Sequence, residues 1–201
     1  SGVLPIEGGG TGVGTLDSAR LVLGVSTYTD ITPLGQTGPR GEVSGSLSIT
    51  QTLAQGFGTV ASGSYSQAQG RNTTASGPFS FASNQNSIAT AVCSSAIGEG
   101  SSATATAAHS QGFGSIAGGL ASHAEGYYTE AASNYSHSEG YRTDATNTAA
   151  HAEGYQSLAS GLYSHASNRN TTASATCAHA EGEGTSATAD AAHSEGFQLS
   201  L

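Results

Sequence analysis

Small side chains recur along this chain at fixed places in a fourteen-residue cycle counted from His109 as position 0. Position +8 is Ala in every unit from Ala61 to Ala187, position +1 is always Ala or Ser from Ala54 to Ser194, and position +6 is always Ser or Thr from Thr59 to Thr185. Position 0 itself reads Leu53, Gln67, Phe81, Ser95, then His109, His123, His137, His151, His165, His179 and His193, with no insertion or deletion. Position +3 is Gly except at Asn84 and Asn168. Gly and Asn most readily take positive φ, so this column predicts a tight turn in every unit.

Fourteen residues are too few for a helical hairpin repeat but suit one coil of two short strands and two turns. The expected fold is therefore all-β: a parallel β-roll or β-solenoid over residues 51–201, with eleven registers stacked at about 4.8 Å to make a rod roughly 50 Å long. A coil this narrow admits only Ala, Ser, Thr and Gly inside, which accounts for the fixed small columns. A longer period overlies the first: residues 82–113 match 166–197 at 21 of 32 positions. The offset is six units, and shared rare residues (Cys93 with Cys177, Asn84 with Asn168) argue for duplication of a whole block, which requires that every unit stack in the same way.

Strand alternation puts positions 0 and +2 outward, giving the pairs His123/Glu125, His137/Glu139, His151/Glu153, His179/Glu181 and His193/Glu195. We read them as a hydrogen-bonded ladder along one outer sheet. The competing reading is an axial ion site built from His109, His123, His137, His151, His165, His179 and His193 of several chains; it is weaker, because metal sites are usually single rather than repeated at every level. Aromatics gather at +4, where Tyr127, Tyr141 and Tyr155 are candidates for surface contact with a glycan or for packing between chains. Cys93 and Cys177 occupy one column six coils apart, beyond disulfide reach, and are expected as small core residues.

Composition narrows the function. Met and Trp are absent, and the small residues cannot form a core of large side chains. The coil buries so little apolar area that partner chains must cover a face. Columns parallel to one axis favour a rotational assembly about it, with three chains the expected number. A formal net charge of −9 and five scattered Arg residues exclude a nucleic-acid interface. No apolar run is long enough to span a membrane and no signal segment opens the chain. Ser, His and acids are everywhere, but catalysis needs one unlike site and the repeat supplies one environment many times, so we expect no catalytic residues. The stretch EGGGTG lacks the Lys and preceding strand of a phosphate loop, and no cofactor is expected.

The units SHAEGYYTEAASNY, SHSEGYRTDATNTA and SSAIGEGSSATATAA resemble the head repeats of YadA-type trimeric adhesins. That resemblance implies left-handed parallel β-rolls assembled as intertwined or side-by-side trimers. In that family an S-V-A-I-G strand lies at the trimer interface, and Ser95, Ala96, Ile97 and Gly98 fit it. Most units here carry His and Glu in the apolar places, which implies either a polar interface or one on the other face. The S-H-A-E-G units are more similar still to arrays in tail proteins of phages and prophages of Gram-positive bacteria, often followed by a self-cleaving chaperone, of which none is visible here. The resemblance covers residues 53–201. It implies a virion tail fibre that contacts a host cell-surface glycan or protein, or alternatively a bacterial surface adhesin or spore-surface filament. A polysaccharide-cleaving spike is disfavoured, since such enzymes carry large grooved solenoids with paired acids.

Residues 1–50 fall in none of the registers. The segment GGGTGVGTLDSARLVLGV is similar to a G-G-T-G-x-x-T-x-x-x-A-R-x-x-L-G element of tail fibre and collar proteins, implying attachment to other tail or baseplate proteins. Thr15 is placed to cap a short helix over residues 16–23 that Gly24 ends. The alternative is an ordinary Gly-rich linker.

Overall fold

The computed structural model of the chain describes residues 52–197, and among them every regular element is a β-strand. Five-residue strands begin with β1 (Leu53–Phe57) and recur every fourteen residues to β21 (His193–Phe197). Two-residue strands alternate with them, from β2 (Val60–Ala61) to β20 (Ser186–Ala187). The odd-numbered strands form one eleven-stranded sheet and the even-numbered strands a ten-stranded sheet, in sequence order. All pairs are parallel and each residue faces its counterpart fourteen positions on, as in His123↔His137 and Ala131↔Ala145. The chain is thus a parallel β-solenoid of ten complete coils.

The interior explains the conserved columns by size. Positions +1, +6, +8 and +13 point inward, and no fully buried side chain is larger than Thr. Ala at +8 is fully buried at Ala75, Ala89 and most others of its column. At several levels the +6 hydroxyl donates to backbone carbonyls, Ser101 Oγ to those of Ile97 and Gly112 at 3.0 Å and Ser115 Oγ to that of Gly126 at 3.1 Å, whereas the buried hydroxyls of Thr73 and Thr171 have no partner. A longer side chain would miss these acceptors and collide with the facing sheet. Backbone groups outside the strands are paired coil to coil as well. Asn72 N–H donates to Phe57 O at 2.8 Å and Cys93 N–H to Pro78 O at 2.9 Å, so the corners continue the ladder.

Each coil contains three residues with positive φ, not one. In the coil from Gln67 to Ser80 they are Gly70 (φ 112°), Asn72 (φ 53°) and Phe79 (φ 58°). The Gly column at +3 does take positive φ, but it lies inside the long strand rather than in a turn. Glycine predominates there because the strands stack so closely at this point that a Cβ on Gly126 would overlap the carbonyl oxygen of Gly140; Asn84 and Asn168 hold the same position at a smaller φ, 84° and 81°. The true corners are at +5 and +12, where Tyr, Arg, Cys and Ala adopt left-handed geometry as well as Gly and Asn.

This corner geometry also corrects the expectation for the cysteines. Cys93 (φ 56°) and Cys177 (φ 55°) sit at +12 and are exposed free thiols, not core residues. Tyr65, Phe79, Tyr135 and Tyr163 share that position and are exposed likewise, with Tyr65 and Phe79 stacked at 5.1 Å. The helix expected over residues 16–23 lies outside the described residues.

Candidate functional site

The outer face of the long sheet carries positions 0, +2 and +4 as three parallel columns. The first is a stack of imidazoles from His109 to His193, with successive ring centroids 4.7 to 5.0 Å apart. Beside it run the carboxylates. The Nε2 atoms of His123, His137, His151, His179 and His193 lie 3.4, 3.6, 3.6, 3.4 and 3.5 Å from the carboxylates of Glu125, Glu139, Glu153, Glu181 and Glu195. Glu153 also reaches the next level, 3.9 Å from Nε2 of His165, whose own unit has Ser167 at +2. Only His179 meets its carboxylate in hydrogen-bond alignment, at 3.4 Å. For His123, His151 and His165 the approach is close without that alignment, and Nε2 is shielded from solvent with no hydrogen-bond partner. The pairs are partly exposed, so each contributes little within one chain.

Electrostatics in the column follow from stacking like groups. His123 is held below the ordinary imidazole range, first by desolvation and then by His137 and His109, against the pull of Glu125. His151 is lowered in the same way by burial and by His137 and His165, against Glu153 and Glu139. On the short sheet, Glu130 in β12 (Glu130–Ala131) faces Asp144 in β14 (Asp144–Ala145), and burial followed by the Glu130 charge raises the Asp144 carboxyl.

The third column is aromatic over four successive coils. Phe113, Tyr127, Tyr141 and Tyr155 stack at 5.1, 5.2 and 4.9 Å, with ring planes within 10° of parallel. Parallel rings at that spacing are slipped like shingles, leaving part of each face and each outer edge uncovered. Tyr128, at the +5 corner, packs edge-on against Phe113 and Tyr127 at 5.3 and 4.7 Å. The Arg142 guanidinium sits 5.5 Å from the centroid of Tyr141. The column changes character on either side, to Glu99 before it and to Arg169 after it, the latter paired with Glu183 at 2.8 Å. Sequence reasoning brought Tyr127, Tyr141 and Tyr155 together but missed Tyr128 and Arg142, because +5 varies freely among Gly, Asn, Tyr, Arg and Gln.

Among the described residues of one chain, no three His, Cys, Asp or Glu side chains converge as a metal-binding group. No helix among them is long and apolar enough to cross a membrane. Neither the family models nor the curated proteins include a match to this chain.

Proposed function

We propose that the chain is a structural, non-enzymatic fibre element: a left-handed β-solenoid that assembles as a parallel homotrimer and serves as shaft and host-contacting surface of a phage or phage-like tail. Residues 1–50 attach it to other tail or baseplate proteins in this reading. The observation that carries the proposal is the monotony of the coil. Ten coils repeat one backbone and one small-residue interior, which suits a rod transmitting length and stiffness. An interior with nothing larger than Thr also leaves the single coil short of apolar burial, and neighbouring chains on its outer faces supply what is missing. A second reading, a bacterial trimeric surface adhesin or spore-surface filament, is favoured by the apolar strand β7 (Ser95–Glu99), which begins Ser-Ala-Ile-Gly.

Native mass measurement tests the assembly, and a monomer at micromolar concentration refutes it. Antibodies against the chain test its place: labelling of the tails of purified virions supports the first reading, and labelling of cell or spore surfaces without virions supports the second.

A further inference from the structure

We infer that the aromatic column formed by Tyr127, Tyr141 and Tyr155, with the carboxylates beside it, is a binding platform for an extended glycan that carries free amines. The inference rests on the host-contact reading above and names the chemistry of the ligand. Packing alone would call for aromatics at every level, as the interior calls for Ala at every level. Instead, position +4 is aromatic at four successive levels from Phe113 to Tyr155 and singly at Phe57 and Phe197, and charged or polar at Arg71, Gln85, Glu99, Arg169 and Glu183. Only in that run of four do rings at +4 stack on one another among the described residues.

Spacing and surface favour a sugar chain over a peptide. Tyr127 and Tyr155 remain 41% and 44% exposed, so the shingled rings offer partial faces and hydroxyl edges to a ligand lying along the fibre axis. The rings advance by 4.9 to 5.2 Å, close to the advance per residue of an extended β-linked hexose chain. An extended peptide presents side chains on one side every ~6.6–6.8 Å, and would fall out of step within two or three rings. Charge then selects among glycans. Glu125, Glu139 and Glu153 stand two residues before the three tyrosines on the same face, with side chains about half exposed. The ring faces already accept one cation, the Arg142 guanidinium over Tyr141. Neutral sugars would leave the carboxylates uncompensated, whereas amines along the polymer supply cations that both carboxylate and ring face can take.

The test is calorimetric titration of the full 201-residue chain with glucosamine oligomers, their N-acetylated counterparts and oligolysine. Binding of the free-amine oligomer alone is expected, weakening as salt rises from about 0.05 to about 0.5 M. The triple variant Tyr127→Ala, Tyr141→Ala, Tyr155→Ala is expected to weaken it about tenfold or more with unchanged circular dichroism and native mass. Loss of the oligomer in that variant assigns the rings to packing between chains and overturns the inference. The variant Glu125→Gln, Glu139→Gln, Glu153→Gln preserves shape and tests the charge separately; unaltered affinity overturns it, as does equal binding of the N-acetylated oligomer or of oligolysine. Adhesion of the chain to a panel of Gram-positive cells separates the two levels of the reading. A chain that adheres but ignores glucosamine oligomers overturns this inference and leaves host contact standing, and one that ignores both overturns both.

Discussion

Substituting Gly126 by Ala should destabilise the solenoid by about 3–5 kcal/mol, and the reason is almost entirely backbone. Gly126 has φ of +128°, a conformation that costs a residue with a side chain about 1–2 kcal/mol. The new methyl would also overlap the carbonyl oxygen of Gly140, which belongs to the adjacent strand and cannot rotate away. Relief requires β11 (His123–Tyr127) and β13 (His137–Tyr141) to part locally, giving up about two or three ladder hydrogen bonds worth about 1 kcal/mol each. Gly196 supplies the internal control. Its φ is nearly the same, +119°, but it lies in the last described strand and among the described residues no atom is within 4 Å of its would-be Cβ. Gly196→Ala should therefore cost only the conformational share, about 1–2 kcal/mol. Gly126→Asn should fall between the two, since Asn84 and Asn168 hold the same position at φ 84° and 81°. Urea unfolding of the three variants followed by circular dichroism measures the differences. Equal midpoints for Gly126→Ala and Gly196→Ala would refute the claim that strand stacking dictates glycine at +3.

The same reasoning extends to charge, core and thiols. Because His123 and His151 are depressed in the fold, the folded chain binds fewer protons than the unfolded one just below pH 6.5; their share of stability is complete above that pH and declines as pH falls. Thermal melting from about pH 8 to about pH 5 checks this sign, and a melting temperature that rises on acidification contradicts it. Asp144 is raised, so its ionised form weighs against the fold at neutral pH; Asp144→Asn should raise the melting temperature at about pH 7 and lose that advantage at about pH 3. Ala131→Leu forces three carbons into a fully buried column and should cost about 3 kcal/mol or more, read from the urea midpoint. Both Cys93 and Cys177 should react with Ellman's reagent in the native state, giving the same titre before and after denaturation.

The periodicity made the coil legible because columns of one kind must share one environment. Ala at +8 and Ser or Thr at +6 admit few environments other than a narrow interior, and the pairing of Ala131 with Ala145 follows directly. Position +13 also carries only Ser and Ala and is buried at Ser122, Ser136 and Ala150, a column that sequence reasoning left out. Gly at +3 misled for a definite reason: positive φ is usually read as a corner, whereas here it marks close approach between strands. The real corners at +5 and +12 accept Tyr128, Arg142 and Cys93, whose side chains point to solvent and so leave no compositional trace. Cys93 and Cys177 were misplaced by the same blindness, since a small thiol at a corner and one in a core look alike in sequence. In the site, the His and Glu columns followed from alternation alone, while the aromatic cluster needed the corner residues that periodicity could not rank.

One consequence of the uniform stacking concerns how such a molecule can change in size. Every strand pairs with the strand fourteen residues on, and the corners are hydrogen-bonded to the same neighbouring coil. Excising any fourteen consecutive residues from the middle therefore rejoins equivalent backbone points, whatever the phase of the cut, and shortens the rod by one step of ~4.8 Å. Removing thirteen or fifteen instead leaves the junction coil one residue too long or too short, a mismatch that must be absorbed there as a bulge or strain. Length is thus a digital quantity for this chain, adjustable one coil at a time.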